Sequence, residues 1–326
     1  MRRSVQRVGW AVKTPSSHRM LTSQWRRRPF PRRILVSYNG AEVQGNMRQV
    51  ISASRRTDIP KHFPAWLADV IRAGFVDVPQ PYTGRIRRVS LLPEDVHTMV
   101  LWSKDLRPLL RNEGGAREAL TRYEQVYCHL TLTGLGGTSL EPSIAPWSEV
   151  AAQLPDLVEF VGDARRVSVR YDPIVHWYEG QTIKSNLPFA EPILREVSKS
   201  GIGTVRVSFA TLYGKVRKRK GWRWYDPAPA ERLRILRNLL ALARSLGLTL
   251  YSCSQTDLQA AGLLPSRCID GDLLAALHPH GLPAATGKDR GQRAECGCTV
   301  SVDIGSYQML CPSGCRYCYA NPRIRG

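Results

Sequence analysis

The chain has 326 residues, of which 43% are hydrophobic, so it can bury one large core or two smaller ones. Its formal net charge is +20, but residues 1–46 carry ten Lys or Arg and one acidic residue, which leaves +11 for the rest. No run approaches the roughly 18 consecutive apolar residues of a membrane-spanning helix, and no secretory signal is present, so the composition predicts a cytoplasmic protein rather than a membrane or secreted one.

The first 46 residues show neither helical nor strand periodicity and are rich in Arg. Such a segment is typical of a disordered basic tail. A strand-like sequence follows Met47 directly, which favours a second interpretation, namely that Met47 is the true start. We therefore predict one domain over residues 47–326, preceded by a tail or a mis-assigned start over residues 1–46.

From residue 49, short β-branched segments alternate with longer segments that carry apolar residues at helical spacing, a pattern typical of parallel βα units. The predicted strands are 50–54, 75–78, 98–102, 127–132, 167–171, 205–209, 249–252 and 300–304. The predicted helices are 63–72, 106–123, 147–161, 188–199 and 228–246. This pattern predicts an α/β protein with a TIM-like (β/α) barrel, which typically needs about 250 residues. A doubly wound open sheet is the alternative.

Polar residues directly follow four of the predicted strands. They occupy residues 54–58, 103–105, 131–134 and 170–173. In a barrel the carboxyl ends of all strands meet at one mouth, where functional residues lie. One such cluster alone would be explained as a loop cap or turn. Four clusters at equivalent positions predict a charged active-site rim.

Three cysteines near the end of the sequence, Cys311, Cys315 and Cys318, form a CxxxCxxC pattern with Tyr317 before the third. Thiolates at this spacing can bind three irons of a cubane iron–sulfur cluster and leave the fourth iron open to a small ligand. Structural zinc sites prefer two CxxC-like pairs separated by a longer loop, and disulfides are rare in cytosolic proteins. Both alternatives fit the pattern less well.

Four further cysteines form a second set. They are Cys253, Cys268, Cys296 and Cys298. Four thiolates could complete a second cluster with no open iron, and the close Cys296–Cys298 spacing suits a cluster better than zinc. A geometric objection exists, because Cys253 follows its predicted strand whereas Cys298 precedes one. A regular barrel would place them at opposite ends unless residues 285–300 cross the mouth. Zinc and free buried thiols are the alternatives.

Several short motifs accompany the triplet in a cyclic order. They are Cys-Tyr-Ala at 318–320, Trp-Ser-Lys at 102–104, Thr-Leu-Thr at 131–133, Leu-Glu-Pro at 140–142 and Arg-Tyr-Asp-Pro-Ile at 170–174. In this order the chain resembles radical-SAM proteins of the spore-photoproduct-lyase type. The chain from residue 47 onward also resembles an uncharacterised bacterial family, a domain of unknown function, through Ile-Ser-Ala-Ser-Arg-Arg-Thr-Asp-Ile-Pro at 51–60 and its cysteine-rich end.

The resemblance to radical-SAM proteins implies a circularly permuted barrel with the cluster loop at its C-terminus. It also implies a [4Fe-4S] cluster on the triplet that binds S-adenosylmethionine (SAM) through its amino and carboxylate groups and generates a 5′-deoxyadenosyl radical. An electron donor such as flavodoxin or ferredoxin would be needed. The substrate is unknown, because the uncharacterised family has none assigned.

The implied chemistry gives individual residues expected roles. Lys104 or Arg170 could supply a cation near the SAM carboxylate, and with Asp172 they form the predicted catalytic group. Asp58 is the predicted partner of the SAM ammonium group. Tyr317 is predicted to pack against the adenine side of SAM.

A basic, aromatic stretch at residues 213–225 interleaves Lys and Arg with Trp and Tyr. Cations with interleaved rings suit a phosphate backbone and stacked bases, although a solvated loop has the same composition. Nucleic acid is therefore one partner to consider. The competing function is a non-catalytic iron–sulfur or zinc protein that binds nucleic acid.

Overall fold

The computed structural model describes residues 47–81 and 83–324, so the predictions for residues 1–46 lie outside the described residues. The strands of the described part are β1 (Gln49–Ala53), β2 (Phe75–Pro79), β3 (Ile86–Ser90), β4 (Val96–Ser103), β5 (Val126–Thr131), β6 (Val167–Ile174), β7 (His176–Glu179), β8 (Thr182–Ser185), β9 (Thr204–Phe209), β10 (Trp224–Tyr225), β11 (Thr249–Ser252), β12 (Leu264–Pro265) and β13 (Val302–Asp303). Its α-helices are α1 (Ile59–His62), α2 (Pro64–Ala73), α3 (Arg107–Leu110), α4 (Ala116–Leu120), α5 (Trp147–Ala151), α6 (Leu154–Val161), α7 (Ala190–Lys199), α8 (Gly214–Arg217), α9 (Pro229–Ser245) and α10 (Gly271–Ala276).

The main sheet has eight strands in the order β12-β11-β9-β6-β5-β4-β1-β13. Every neighbouring pair is parallel. The last strand in sequence, β13, lies beside the first, β1. The predicted parallel α/β sheet is thus confirmed. Within residues 47–81 and 83–324, no pairing joins β12 to β13, so the closure of a barrel is not observed.

One face of the sheet carries apolar side chains and packs against the helices. Leu101, Leu130 and Val169 point to this face and are fully buried, together with Leu67 of α2 and Leu236 of α9. Successive strand residues point to opposite faces, so every second residue of each strand enters this core. Each such Leu or Val contributes about 1.5–3 kcal/mol by leaving water.

The opposite, inner face of the sheet is more polar. Its buried polar residues include Ser52, Thr98, His129, Ser168 and Arg206. The segment 266–300, which contains α10, covers this face, and its Ile269 and Leu274 pack in one cluster with Val100 and Tyr127 of the sheet. This segment carries three of the eight cysteines, so it brings them to the centre of the sheet.

Three of the predicted elements differ from the structure in their pairing or continuity. β2 pairs antiparallel with β3, outside the main sheet. The predicted helix 106–123 is interrupted, because Gly114 and Gly115 have φ of 62° and 77°, a left-handed conformation that glycine tolerates. The predicted helix 147–161 divides into α5 and α6, where Pro lies in the first turn of α6 and supplies no N–H to continue a longer helix.

A small antiparallel sheet, in the order β10-β7-β8, was not predicted. Among the described residues, no helix has both the length and the apolar composition needed to cross a bilayer.

Candidate active site

Three side chains from separate parts of the sequence meet at the carboxylate of Glu141, which is 1% exposed. Lys104 Nζ lies 2.9 Å from Glu141 Oε1, and Thr133 Oγ1 lies 2.5 Å from the same oxygen. Tyr317 also donates its hydroxyl to Oε1. Lys104 and Thr133 lie at or just beyond the carboxyl ends of β4 and β5, whereas Tyr317 belongs to the cysteine triplet. Glu141 therefore joins two strand ends to the cysteine loop.

A tight turn positions Glu141. A Cβ atom on Gly136 would lie 1.9 Å from the carbonyl oxygen of Ala145, so a larger residue cannot occupy that position without moving the backbone. The next residue, Gly137, donates its N–H to the carbonyl of Ile144 at 2.7 Å. Close approach of two backbone segments requires glycine here, and the turn directs the acidic side chain into the protein.

Lys104 is electrostatically coupled to the cysteine triplet. Burial opposes its positive charge, but Glu141, Cys315 and Cys318 outweigh burial and raise the pKa of Lys104. Its Nζ lies 5.5 Å from the centroid of the Tyr317 ring, within cation–π range. Lys104 is therefore a charged side chain beside the triplet, and its contact with the SAM carboxylate stays a prediction.

The triplet loop follows β13 and closes on itself. The backbone N–H of Cys311 donates to the carbonyl of Asn321 at 3.2 Å, and Arg323 N–H donates to the carbonyl of Cys311 at 2.7 Å. Arg316 N–H donates to the carbonyl of Leu140 at 2.9 Å, next to Glu141. The loop is thus anchored both to itself and to the turn that carries the buried acid.

Arg219 holds the triplet loop from the other side. Its guanidinium donates to the carbonyl of Cys318 at 2.6 Å and to the carbonyl of Arg316. Trp222 and Trp224 pack in one cluster with Cys315 and other apolar residues of the site. Arg219, Trp222 and Trp224 of the basic, aromatic stretch 213–225 therefore pack against the triplet loop, whereas its three lysines are exposed. Its predicted contact with nucleic acid stays a prediction.

Cys315 of the triplet is buried, and Cys311 and Cys318 are half-buried. Burial raises the pKa of Cys315, and the nearby Glu141, Cys318 and Cys311 add to the rise while Lys104 opposes it. Such thiols hold their protons unless a metal replaces them. Among the described residues, no three His, Cys, Asp or Glu side chains surround a single metal-ion position. A cubane binds each thiolate through a different iron, so its ligands lie farther apart than those of a single ion.

The second cysteine set also comes together. All eight cysteines of the chain are free. The Sγ atoms of Cys253 and Cys268 lie 3.5 Å apart. Cys298 hydrogen-bonds to both Cys268 and Cys296, and it lowers the pKa of Cys296 to about 6. The geometric objection to a meeting of Cys253 and Cys298 does not apply here, because the segment 266–300 crosses the inner face of the sheet.

Arg170 and Asp172 lie at this second set rather than at the triplet. Arg170 Nη1 donates to Cys268 Sγ at 2.8 Å, and its Nη2 is paired with the Asp172 carboxylate. Asp172 also accepts the hydroxyl of Ser208. The Arg170 guanidinium lies 5.3 Å from the centroid of the Trp102 ring. Of the predicted catalytic group, only Lys104 is placed beside the triplet.

Asp58 supports Lys104 through the backbone. Its Oδ1 accepts the N–H of Lys61 at 3.2 Å and caps α1, and its Oδ2 accepts the N–H of Lys104 at 2.9 Å. Burial is the largest influence on Asp58 and raises its pKa to about 6 despite these bonds. The structure gives Asp58 a positioning role for Lys104. Its contact with the SAM ammonium stays a prediction.

Sequence reasoning did not assign site roles to Glu141, Arg206 or Arg219. Glu141 belongs to a quoted motif, and its position after a glycine-rich turn was the available signal. Arg206 interrupts the apolar strand β9, which is a signal for a buried charge with a specific partner. Arg219 lies in the stretch assigned to partner contact, and nothing in its local sequence indicated an internal role.

A search of curated proteins gives no match. Among solved structures, the carboxyl transferase domain from Rhizobium etli pyruvate carboxylase is similar at a TM-score of 0.27 and 12% identity, over 74% of this chain and 45% of that chain. A similarity of this size carries no conclusion, and the chain spans less than half of that structure. A family model described as Domain of unknown function (DUF1848) matches residues 50–320, which confirms the predicted likeness to an uncharacterised family. The chain belongs to the DUF1848 family.

Proposed function

We propose that this protein is a radical-SAM-type enzyme in which Cys311, Cys315 and Cys318 bind a [4Fe-4S] cluster and SAM. The convergence on Glu141 carries this proposal. Lys104, Thr133 and Glu141 belong to three different short motifs and Tyr317 to the cysteine triplet, and Lys104, Thr133 and Tyr317 all contact one carboxylate oxygen of Glu141. Residues from motifs far apart in sequence thus lie together at one site, and the triplet loop is part of that site.

The strand order supports a circularly permuted arrangement. Taken across the sheet from β13, the order continues with β1, β4, β5 and β6, so the triplet loop follows the strand at that edge of the sheet. Asp303, at the end of β13, accepts the hydroxyls of Ser52 and Ser54 at 3.0 and 2.6 Å and the N–H of Arg55 at 2.9 Å. These bonds fix the base of the triplet loop against β1.

When bound, the cluster and SAM would supply the radical chemistry. The chain's own residues prepare the site. Glu141 keeps Lys104 charged in a buried position, where it attracts the carboxylate of a ligand more strongly than it would in water. Asp58 fixes the backbone of Lys104, and Trp222 and Trp224 exclude water from one side of the triplet loop. The substrate is unassigned.

Anaerobic reconstitution with ferrous iron and sulfide, followed by reduction with dithionite in the presence of SAM, tests the proposal. We expect 5′-deoxyadenosine to form, and we expect an Ala substitution at any one of Cys311, Cys315 and Cys318 to abolish its formation. Cys128→Ala is the matched control, because Cys128 is buried in the helix-facing core away from both cysteine sets. A triple-Ala variant that still cleaves SAM would disprove the assignment. A colourless protein with one zinc would favour the competing non-catalytic function.

A further inference from the structure

Two members of the second cysteine set lie side by side because the backbone places them there. Cys253 directly follows β11, and Cys268 comes shortly after β12, which pairs in parallel with β11. The pairing continues past the strands, where the N–H of Ser266 donates to the carbonyl of Ser252 at 3.0 Å. Parallel neighbours carry their following residues to the same edge of a sheet. The Sγ atoms of Cys253 and Cys268 are accordingly 3.5 Å apart.

A second backbone pairing brings Cys298 to the same place. The N–H of Thr299 donates to the carbonyl of Ile269 at 2.9 Å. The N–H of Ile269 in turn donates to Cys298 Sγ at 3.4 Å. Cys298 therefore lies beside Cys268, the residue before Ile269, and the two side chains hydrogen-bond to each other.

Gly297 allows the last member of the set to approach. It separates Cys296 from Cys298, and a Cβ atom on it would lie 2.9 Å from the carbonyl oxygen of Ser266. A larger residue would push the two backbone segments apart, so glycine permits their close contact. Cys296 hydrogen-bonds to Cys298 and completes a group of four thiols.

The distances within this group match the ligands of one metal ion. Zinc binds thiolate sulfur at about 2.3 Å in a tetrahedron, so its sulfur ligands lie about 3.8 Å from one another. The 3.5 Å between Cys253 Sγ and Cys268 Sγ is close to that value. A cubane holds its thiolates farther apart, because each binds a different iron. These distances outweigh the one-residue spacing of Cys296 and Cys298 in sequence, which is shorter than in most zinc pairs.

A buried cation beside the set calls for an anion. Arg206 is 3% exposed, and no carboxylate contacts it in the part of the chain that the structure describes. Its guanidinium donates to Ser168 Oγ, to Ser266 Oγ at 3.2 Å and to the carbonyl of Arg267 at 3.1 Å, all neutral acceptors. Ser266 Oγ lies 3.8 Å from Cys268 Sγ. Burying an unpaired charge carries a large free-energy cost, so negative charge on the cysteines would stabilise Arg206.

A second guanidinium contacts the set directly. Arg170 Nη1 donates to Cys268 Sγ at 2.8 Å, and Asp172 is the carboxylate paired with Arg170. The guanidinium groups of Arg170 and Arg206 and this one carboxylate leave one positive charge in excess. Four protonated thiols provide no charge to balance it. Zinc bound by four thiolates carries two net negative charges, and N–H donors to its sulfur ligands would stabilise them.

We propose that Cys253, Cys268, Cys296 and Cys298 bind one zinc ion in a structural site. All four ligands are protein side chains, so no coordination position is left open for a substrate. The ion joins the end of β11, the residues after β12 and the loop before β13, and it thereby fixes the segment 266–300 to the inner face of the sheet. The proposal is independent of SAM cleavage at the triplet.

Zinc binding requires a small rearrangement of the thiols. Their contacts run in the order Cys253, Cys268, Cys298, Cys296, and among residues 47–81 and 83–324 no three donors surround a single position. Each cysteine side chain has one torsion that moves its sulfur atom between staggered positions. Rotation of the two end members, Cys253 and Cys296, toward the middle pair closes the chain into a tetrahedron while the backbone pairings stay in place.

A redox-active thiol pair is the competing explanation of the short distance between Cys253 and Cys268. Disulfide exchange needs access of a partner to the sulfur atoms. Cys268 and Cys298 are only 6% and 3% exposed. A disulfide also uses two cysteines, whereas four are in contact here. The number of thiols and their burial therefore favour the metal.

The test uses the full chain with Cys311, Cys315 and Cys318 all changed to Ala, reduced, freed of metal and titrated anaerobically with zinc chloride. We expect about one zinc per chain, and with cobalt(II) chloride the absorption bands of a tetrahedral cobalt thiolate. Adding Cys268→Ala and Cys298→Ala should abolish both, whereas adding Cys128→Ala, in the helix-facing core, should not. No bound zinc, or a cobalt spectrum without thiolate bands, would overturn the proposal.

A second comparison keeps the triplet intact, in case the triplet-deficient chain does not fold. Zinc is counted in the wild-type chain and in a Cys268→Ala/Cys298→Ala variant after the same treatment. We expect the wild-type chain to hold about one zinc more than the variant, whatever the triplet binds. Equal zinc contents in the two proteins would overturn the proposal.

The role of Arg206 has its own readout. Loss of a residue that supports metal ligands from outside typically weakens metal binding by about 10–100-fold, and we expect Arg206→Met to weaken zinc binding in this range. The affinity is measured by competition with a chromogenic chelator. Arg195→Met is the control, because Arg195 is an exposed side chain on α7 paired with Glu191. Equal zinc affinities in the two variants would overturn the charge-matching role of Arg206.

Discussion

The substitution Glu141→Gln separates the charge of the buried acid from its shape. Gln keeps an oxygen where Oε1 accepts three donors, but it removes the negative charge that faces Lys104. The side chains of Lys104 and Glu141 are 15% and 2% exposed, so water cannot replace the lost partner. We expect the variant to be markedly less stable, because a buried ammonium group is left without an anion.

The magnitude follows from the geometry. At 2.9 Å and an effective dielectric constant of about 20, the attraction between Lys104 and Glu141 is about 6 kcal/mol. Lys104 can instead release its proton, which costs about 5 kcal/mol at pH 7 for a group whose ordinary pKa is 10.5. Deprotonation is the cheaper of these two outcomes, so its cost is the upper limit of the loss in stability. Removal of one partner of a buried pair typically costs about 3–5 kcal/mol. We expect a loss in this range.

Denaturant unfolding of the apo protein across pH measures this loss. The folded variant lowers the pKa of Lys104 below that of the unfolded chain, so the unfolded state binds more protons and the variant's stability should rise with pH up to about 10.5. The double variant Glu141→Gln/Lys104→Met leaves no unpaired ammonium group in the buried site. We therefore expect it to be more stable than Glu141→Gln. A loss below about 1 kcal/mol in Glu141→Gln, with no recovery in the double variant, would refute the reasoning.

Two further predictions concern the edges of the site. Burial opposes ionisation of Asp105, but hydrogen bonds from Arg107 and Lys61 outweigh it and lower its pKa to about 2; Asp105→Asn should therefore cost about 2 kcal/mol at pH 7. In the wild-type protein this contribution is present above about pH 4 and is lost as the pH falls to about 2, which acid unfolding of both proteins would reveal. Arg219→Ala should release the triplet loop and speed the loss of iron from the reconstituted protein in air. Lys220→Ala, at the exposed neighbouring residue, should not. Equal rates of iron loss in the two variants would contradict the role of Arg219.

Much of the fold follows from local sequence, because the parallel strands are short β-branched segments that are largely buried. The predicted strand 249–252 coincides with β11, and 98–102 lies inside β4. The local sequence pattern does not determine which strands pair with each other. The segment 75–78 has the pattern of the other parallel strands, yet β2 pairs antiparallel with β3. This choice of partner depends on the competing contacts of the whole chain.

The candidate site was predictable to the extent that it uses strand ends. Lys104 lies near the triplet because parallel strands bring their carboxyl ends together, as the sequence analysis expected. Arg170 was expected at the same place but contacts Cys268, because the segment 266–300 occupies the inner face of the sheet in front of it. That segment has little regular structure beyond α10, so no periodicity in its sequence could have revealed its path.

The pairing of β1 with β13 also bears on how the protein is made. Ser52 and Asp303, which hydrogen-bond across this edge, are 251 positions apart, whereas Asp58 and Lys104 are 46 apart. Closing the longer loop costs about 1.5 kcal/mol more in chain entropy, and contacts of such long range form slowly. During synthesis the seven other strands emerge before β13, so the sheet edge and the triplet loop are completed last. Under the proposed function, cluster assembly on the triplet must therefore follow translation of almost the entire domain. A nascent chain stalled before residue 302 leaves β1 without its partner β13, as an edge strand exposed to aggregation.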